Sequence, residues 1–162
     1  MTDLALPCPP ARADLTQDGK IIPILSEGET HRQWLDRIKS ALATDSDDLA
    51  RYILATLCKA CNPPEAIKLN SLLAQIAEGH PRDVQETLLL AQMAATSQRM
   101  LEVMGEKRNH LFQDDDEAQT RIISQYGRLY SRQLEALRRY RRDGNQRIVV
   151  LHAQNAVVGV QG

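Results

Sequence analysis

Few residues in this chain have the types and spacing for chemistry. Cys58 and Cys61, in "CKAC", have the interval of a metal or redox motif. Zinc takes about four ligands, and the remaining candidates, Cys8, His31, His80, His110 and His152, supply no second paired spacing. A redox pair wants its first thiol at a helix N-terminus, where the dipole favours the thiolate. Here the apolar periodicity places the pair near the end of a helix, so the two cysteines read as packing residues, with metal or redox work as the alternative. "DDDE", ending at Glu117, lacks the central glycine and terminal glutamate of a calcium loop and reads as a solvated acidic turn. His80 and His110 fall at helix boundaries and His152 in an alternating pattern, none with a catalytic context. The chain has no phosphate loop, dinucleotide fingerprint or nucleophile elbow. Nothing assembles an acid, a base and a binding loop, so the expectation is a non-enzymatic protein without metal or cofactor.

The strongest signal is arginine. Arg138, Arg139, Arg141 and Arg142 crowd the end of a helical pattern, with Arg147 just beyond. At 100° per residue the four span roughly 160° of helix surface with Tyr140 opposite. Arginine suits phosphate because its planar fork donates two parallel hydrogen bonds. The same cluster also suits a plain helix C-terminus, complementing the dipole and pairing with acids such as Glu86, Glu102 or Glu106. Both readings stand. The overall charge is only −1, yet residues 121–162 hold eight arginines against Glu135 and Asp143, a balance of +6, which leaves −7 for residues 1–120. A basic end on an acidic body argues for an acidic partner, either nucleic acid or a neighbouring copy.

The elements that would position these residues follow from periodicity. The 162 residues, 43% hydrophobic and 25% charged, suffice for one ordinary core or for a small head with an extended arm. Residues 1–28, with four prolines, the turn signal "TQDGK" and the short run "IIPIL", read as a loosely structured N-terminal arm. Residues 29–79 read as a small helical head. Trp34, Leu35, Ile38 and Leu42 make one apolar face, and Ser46 caps a second helix lined by Leu49, Ile53, Leu54 and Leu57. Asn62 and Pro63 open a third, which runs through Leu69, Leu72, Leu73 and Ile76 to Gly79. Residues 80–143 read as a long antiparallel helical hairpin. Its first helix carries Leu88, Leu89, Leu90 and Met93 in a stretch that is apolar on every side, and such a stretch must be buried on every side. The simplest cover is a second copy of the chain. Its second helix places Ile122, Tyr126, Leu129, Leu137 and Tyr140 in one arc, widened by Ile123, Tyr130 and Leu134, and Arg121, Arg128, Arg132 and Arg139 in a separate stripe.

Residues 144–162 change period. "QRIVVLH" alternates, with Val149 and Leu151 on one side, and "AVVGV" repeats the type after a turn near Gln154 and Asn155, which predicts a short C-terminal β-hairpin. A lone hairpin is marginal in water and its edges invite pairing, so Val149 and Leu151 join Leu88, Leu89, Leu90 and Met93 as candidate oligomerisation residues. The fold class expected is therefore mainly α: a small helical head, a long antiparallel helical hairpin and a short C-terminal β-hairpin. No run approaches the ~18 apolar residues of a membrane span, and "MTDLALPCPP" has no secretory signal pattern. A cytoplasmic address without a membrane partner is expected.

The tail "QLEALRRYRRDGNQRIVVLHAQNAVVG" resembles that of a bacterial family of unassigned activity, whose members end in a similar helix, a basic "RYR", a glycine turn and a valine-rich strand pair. In architecture alone, a helical head, helical hairpin and C-terminal strands are similar to the small terminase subunits of tailed phages. That resemblance implies a ring-forming, non-enzymatic adaptor that binds DNA for packaging and hands it to a larger motor protein. The nucleic-acid contacts expected are those of the arginine cluster itself: Arg138, Arg139, Arg141, Arg142 and Arg147. A homo-oligomeric scaffold or regulator that touches no nucleic acid is the other reading.

Overall fold

The computed structural model describes residues 11–16, 18–106 and 115–143. In order they form β1 (Arg12–Leu15), β2 (Ile21–Ile24), α1 (His31–Ala41), α2 (Asp47–Ala60), α3 (Ala66–Glu78), α4 (Val84–Glu106) and α5 (Asp115–Asp143). The chain is mainly helical as expected, but the layout is not the expected one. The sheet among the described residues lies at the N-terminal end, in the segment read as a loose arm, and a fold class with its strands at the C-terminus is corrected accordingly. The hairpin expected over 144–162, with Arg147, Val149 and Leu151, lies outside the described residues.

Proline is hostile to most strand positions but not to the one it takes here. β1 and β2 are antiparallel, and Pro23 stands opposite Ala13. A proline fits there because the pair need exchange no hydrogen bonds across the ladder. The N–H and C=O of Ala13 then point to the other side, where the Asn70 side chain takes both: its Oδ1 accepts from Ala13 N at 2.9 Å and its Nδ2 donates to Ala13 O at 2.8 Å. The amide of Asn70 thus stands in for a third strand. The Trp34 indole N–H donates to Arg12 O at 2.6 Å, and Ala13 is fully buried. The turn between the strands closes through Gly19 N to Thr16 O, with Gly19 at φ +73°.

The helices start where capping chemistry allows. Thr30 caps α1 in a reciprocal box with Gln33, and the Ser46 hydroxyl accepts from Leu49 N at the head of α2, as its spacing predicts. The third helix begins later than expected, at Ala66 rather than Pro63. Pro64 disfavours the helical region for the residue before it, so Pro63 cannot sit in a first turn. Asp83 caps α4, its carboxylate accepting from Glu86 N at 2.9 Å.

One core runs through all of this. Leu35, Ile38, Leu42, Leu69, Leu72 and Ile76 are its most enclosed large side chains. Leu90, Ala91, Met93 and Ala94 of α4 and Leu137 of α5 belong to the same cluster. The apolar stretch of α4 therefore finds its cover within the chain, from α2 and α3 on one side and α5 on the other. Gly79 lies so close to Leu90 that a Cβ there would meet its methyl groups at 2.7 Å. Leu89 is half-buried and Leu88 is exposed.

Candidate functional site

The described arginines of the expected nucleic-acid site, Arg138, Arg139, Arg141 and Arg142, do not share one environment. Arg141 turns inward. Its Nη2 donates to Gly79 O at 2.6 Å and to Glu86 Oε2 at 3.1 Å, and its Nε approaches the same oxygen at 3.3 Å. Glu86, on the first turn of α4, has no exposed side-chain surface and is also held by Arg82, at 2.6 Å. Beside this group the Tyr140 hydroxyl donates to Asp83 Oδ2 at 3.0 Å. Together they clasp the last turn of α5 to the junction of α3 and α4. Burial pushes the Glu86 carboxyl up, but the bonds from Arg82 and Arg141 outweigh it and hold the group below the usual carboxylate range. The bond to Asp83 raises the Tyr140 hydroxyl.

This role of Arg141 had a signal in the sequence. At 100° per residue it falls at the azimuth of Ile123 and Tyr130, inside the apolar arc and off the basic stripe. An arginine inside an apolar arc needs a buried acid, and Glu86 supplies it. Arg138, Arg139 and Arg142 are exposed, and Arg139 pairs with Glu135 at 3.8 Å. Arg147 lies outside the described residues.

The outer face of α5 carries the rest of the basic charge. Arg121, Arg128, Arg132 and Arg139 are all exposed on the side turned away from the buried Gln133 and Leu137. Arg121 pairs with Glu117 at 3.9 Å, both side chains at least 70% exposed. Such pairs are worth little and open readily. Among the described residues no carboxylate lies at ion-pair distance from Arg128, Arg132 or Arg138. Over Gly127 the surface dips slightly, lined also by Ser124 and Ser131 and bordered along one side by Arg128 and Arg132. By the helical rise of ~1.5 Å per residue, the stripe from Arg121 to Arg139 is about 27 Å long.

The cysteines take no part in this. Cys58 and Cys61 are buried and unbridged, and burial pushes the Cys61 thiol up, away from thiolate. His31 stacks at a tilt on Trp34, ring centroids 5.6 Å apart. His80, at φ +45°, contributes only a backbone carbonyl to the clasp, 3.5 Å from Arg141. Cys8, His110 and His152 lie outside the described residues. Of the acids proposed to pair with arginine across the helical hairpin, Glu86 does so. Glu102 instead bonds Lys68 at 3.3 Å and Arg99 at 3.2 Å. Among the described residues no helix is long and apolar enough to cross a membrane, and no group of histidine, cysteine and carboxylate side chains is arranged to hold a metal ion.

Comparison of the chain with protein-family models, with curated proteins and with solved structures finds no match. Nothing in those comparisons bears on a terminase-like lineage.

Proposed function

We propose that this chain is a non-enzymatic helical adaptor that binds nucleic acid through the outer face of α5. One observation carries the reading: Arg121, Arg128, Arg132 and Arg139 form an exposed stripe, flanked by Arg138, on a helix whose opposite side is packed. Arginines in a line on a helix that is already formed meet successive phosphates without the segment first having to fold. Recognition of this kind follows the backbone and is independent of base sequence, and it weakens steeply with salt because each neutralised phosphate releases a counterion. One helix offers few contacts, so several copies on one strand would raise the effective concentration of each. Homo-oligomerisation remains part of the proposal, but its earlier support from Leu90 and Met93 is gone, since both are covered within the chain.

The test is fluorescence anisotropy with single-stranded and duplex oligonucleotides at low and near-physiological salt. Changing Arg121, Arg128, Arg132 and Arg139 together to glutamine should abolish binding while the protein stays folded. Arg141→Gln should weaken the fold and leave the affinity of the folded fraction unchanged. No binding by the wild-type protein even at low salt refutes the reading.

A protein scaffold that never touches nucleic acid is the second reading, and the bonding of Arg141 to Glu86 favours it. It makes the basic cluster in part a device for holding helices together. Light scattering coupled to gel filtration, with and without oligonucleotide, separates the two: only the adaptor changes mass with the oligonucleotide.

A further inference from the structure

We propose that the dip over Gly127 seats one phosphodiester group of the bound nucleic acid, held by Arg128 and Arg132, which stand side by side along its edge. This rests on the reading that α5 binds a polyanion, and it names the point at which that backbone comes closest to the helix.

Among the described residues Gly127 has no structural reason to be glycine. It lies near the middle of a 29-residue helix, away from the left-handed region, and no described residue comes within 4 Å of where its Cβ would be. Glycine in a helix interior costs about 1 kcal/mol relative to alanine. Neither a turn nor packing among the described residues explains that cost. An approaching group from outside the chain does, since only there does the missing side chain matter.

The surroundings say what the group is. Ser124 and Ser131 are short, and their hydroxyls fold back onto Thr120 O at 2.8 Å and Gly127 O at 3.0 Å, so the floor of the dip stays low. Arg128 and Arg132 are four residues apart and stand on the same side of the helix. The Nε of Arg128 is steadied by Ser124 O at 3.3 Å, which leaves its two terminal amino groups for a ligand. The ends of the stripe, Arg121 and Arg139, each have a glutamate four residues earlier. The centre, Arg128 and Arg132, has none, and it is this pair that borders the dip. A second copy of α5 would not suit this place, because a self-complementary crossing would bring four guanidinium groups together. A tetrahedral oxyanion suits it, taking forks from the two neighbouring guanidinium groups.

Gly127→Leu fills the dip and keeps every arginine. In salt-stepped anisotropy it should weaken oligonucleotide binding by about tenfold and lower the salt slope by about one contact, as should Arg128→Gln with Arg132→Gln. Its melting temperature should not fall, because leucine is the better helix former. Titrating inorganic phosphate should shift the Gly127 amide and the side-chain Nε–H signals of Arg128 and Arg132 in the NMR spectrum of the wild-type protein. If Gly127→Leu binds like wild type while the four-arginine variant does not, the seat is wrong and the helix-face reading survives. If phosphate moves those signals but no oligonucleotide binds, the nucleic-acid source is overturned. Binding to phosphatidylglycerol vesicles without binding to oligonucleotides overturns it too. If neither phosphate nor oligonucleotide binds, seat and helix face fall together.

Discussion

Glu86 concentrates more of the fold's electrostatics than any other side chain. It is the only charged residue among the described ones to be fully buried, and it is stable there because two guanidinium groups and the Arg82 N–H bond it. Removing an acceptor of charge-assisted hydrogen bonds costs about 2 kcal/mol, so Glu86→Gln should lower the unfolding free energy by that amount at neutral pH. The pH dependence has a definite sign. The folded carboxyl is held below its unfolded value, so its contribution is present above the usual carboxylate range and is lost as pH falls through the folded value. Glu102, held down by Arg99 and Lys68 against its burial, adds to the same acid limb. The gap between wild type and Glu86→Gln should therefore close in acid, as followed by thermal denaturation from neutral to acid pH. A gap that stays constant would mean that Glu86 acts through packing alone.

Among the helices, the contact between α3 and α4 decides what covers the apolar stretch of α4. A methyl group added at Gly79 would collide with Leu90, and overpacking of this kind costs about 1–3 kcal/mol. Gly79→Ala should therefore destabilise the protein, although Gly79 has a helical φ of −69° that alanine adopts freely. Leu90→Ala alone should cost about 2–5 kcal/mol. The double variant should cost less than the sum, because each change relieves the other. Additive costs in a denaturant series would show that Leu90 packs elsewhere, for instance against a second copy. The sequence made this stretch's need for cover legible but not its source. Periodicity says that Leu90 and Met93 must be buried, while only the close approach that Gly79 permits says against what. The helices and their caps were legible at Ser46 because a cap acts within four residues. The sheet was not, because Pro23 is tolerable only once Asn70, dozens of residues away, supplies the partners for Ala13. At the candidate site the exposed stripe could be read from spacing, whereas the diversion of Arg141 to Glu86 depended on a contact across the helical hairpin.

At the scale of the whole molecule, α5 is the helix least enclosed by the core. It packs chiefly on α4, and its buried side chains, Gln133 and Leu137, lie in its second half. In the first half Ile123, Tyr126 and Tyr130 are half-buried, while Ile122 and Leu129 are exposed. Few enclosed contacts mean a low cost of local opening, so α5 should exchange its amide hydrogens faster than α1 to α3, with the segment before Leu129 the fastest. The clasp at the other end sets how far this opening spreads. Arg141→Gln removes the guanidinium from Gly79 O and Glu86 and leaves Arg82 to hold the carboxylate. With the Arg141 side chain 38% exposed, the loss is on the order of 1–2 kcal/mol, which corresponds to roughly 5- to 30-fold faster exchange. Native-state hydrogen exchange should find that increase along the second half of α5 and the first turn of α4, with α1 to α3 unchanged. An equal increase in all helices would mean that α5 and the head unfold as one unit. A proposed nucleic-acid surface on a helix that opens independently predicts one more observable: bound oligonucleotide should slow exchange in α5 more than anywhere else, because only there does the ligand add contacts that opening would break.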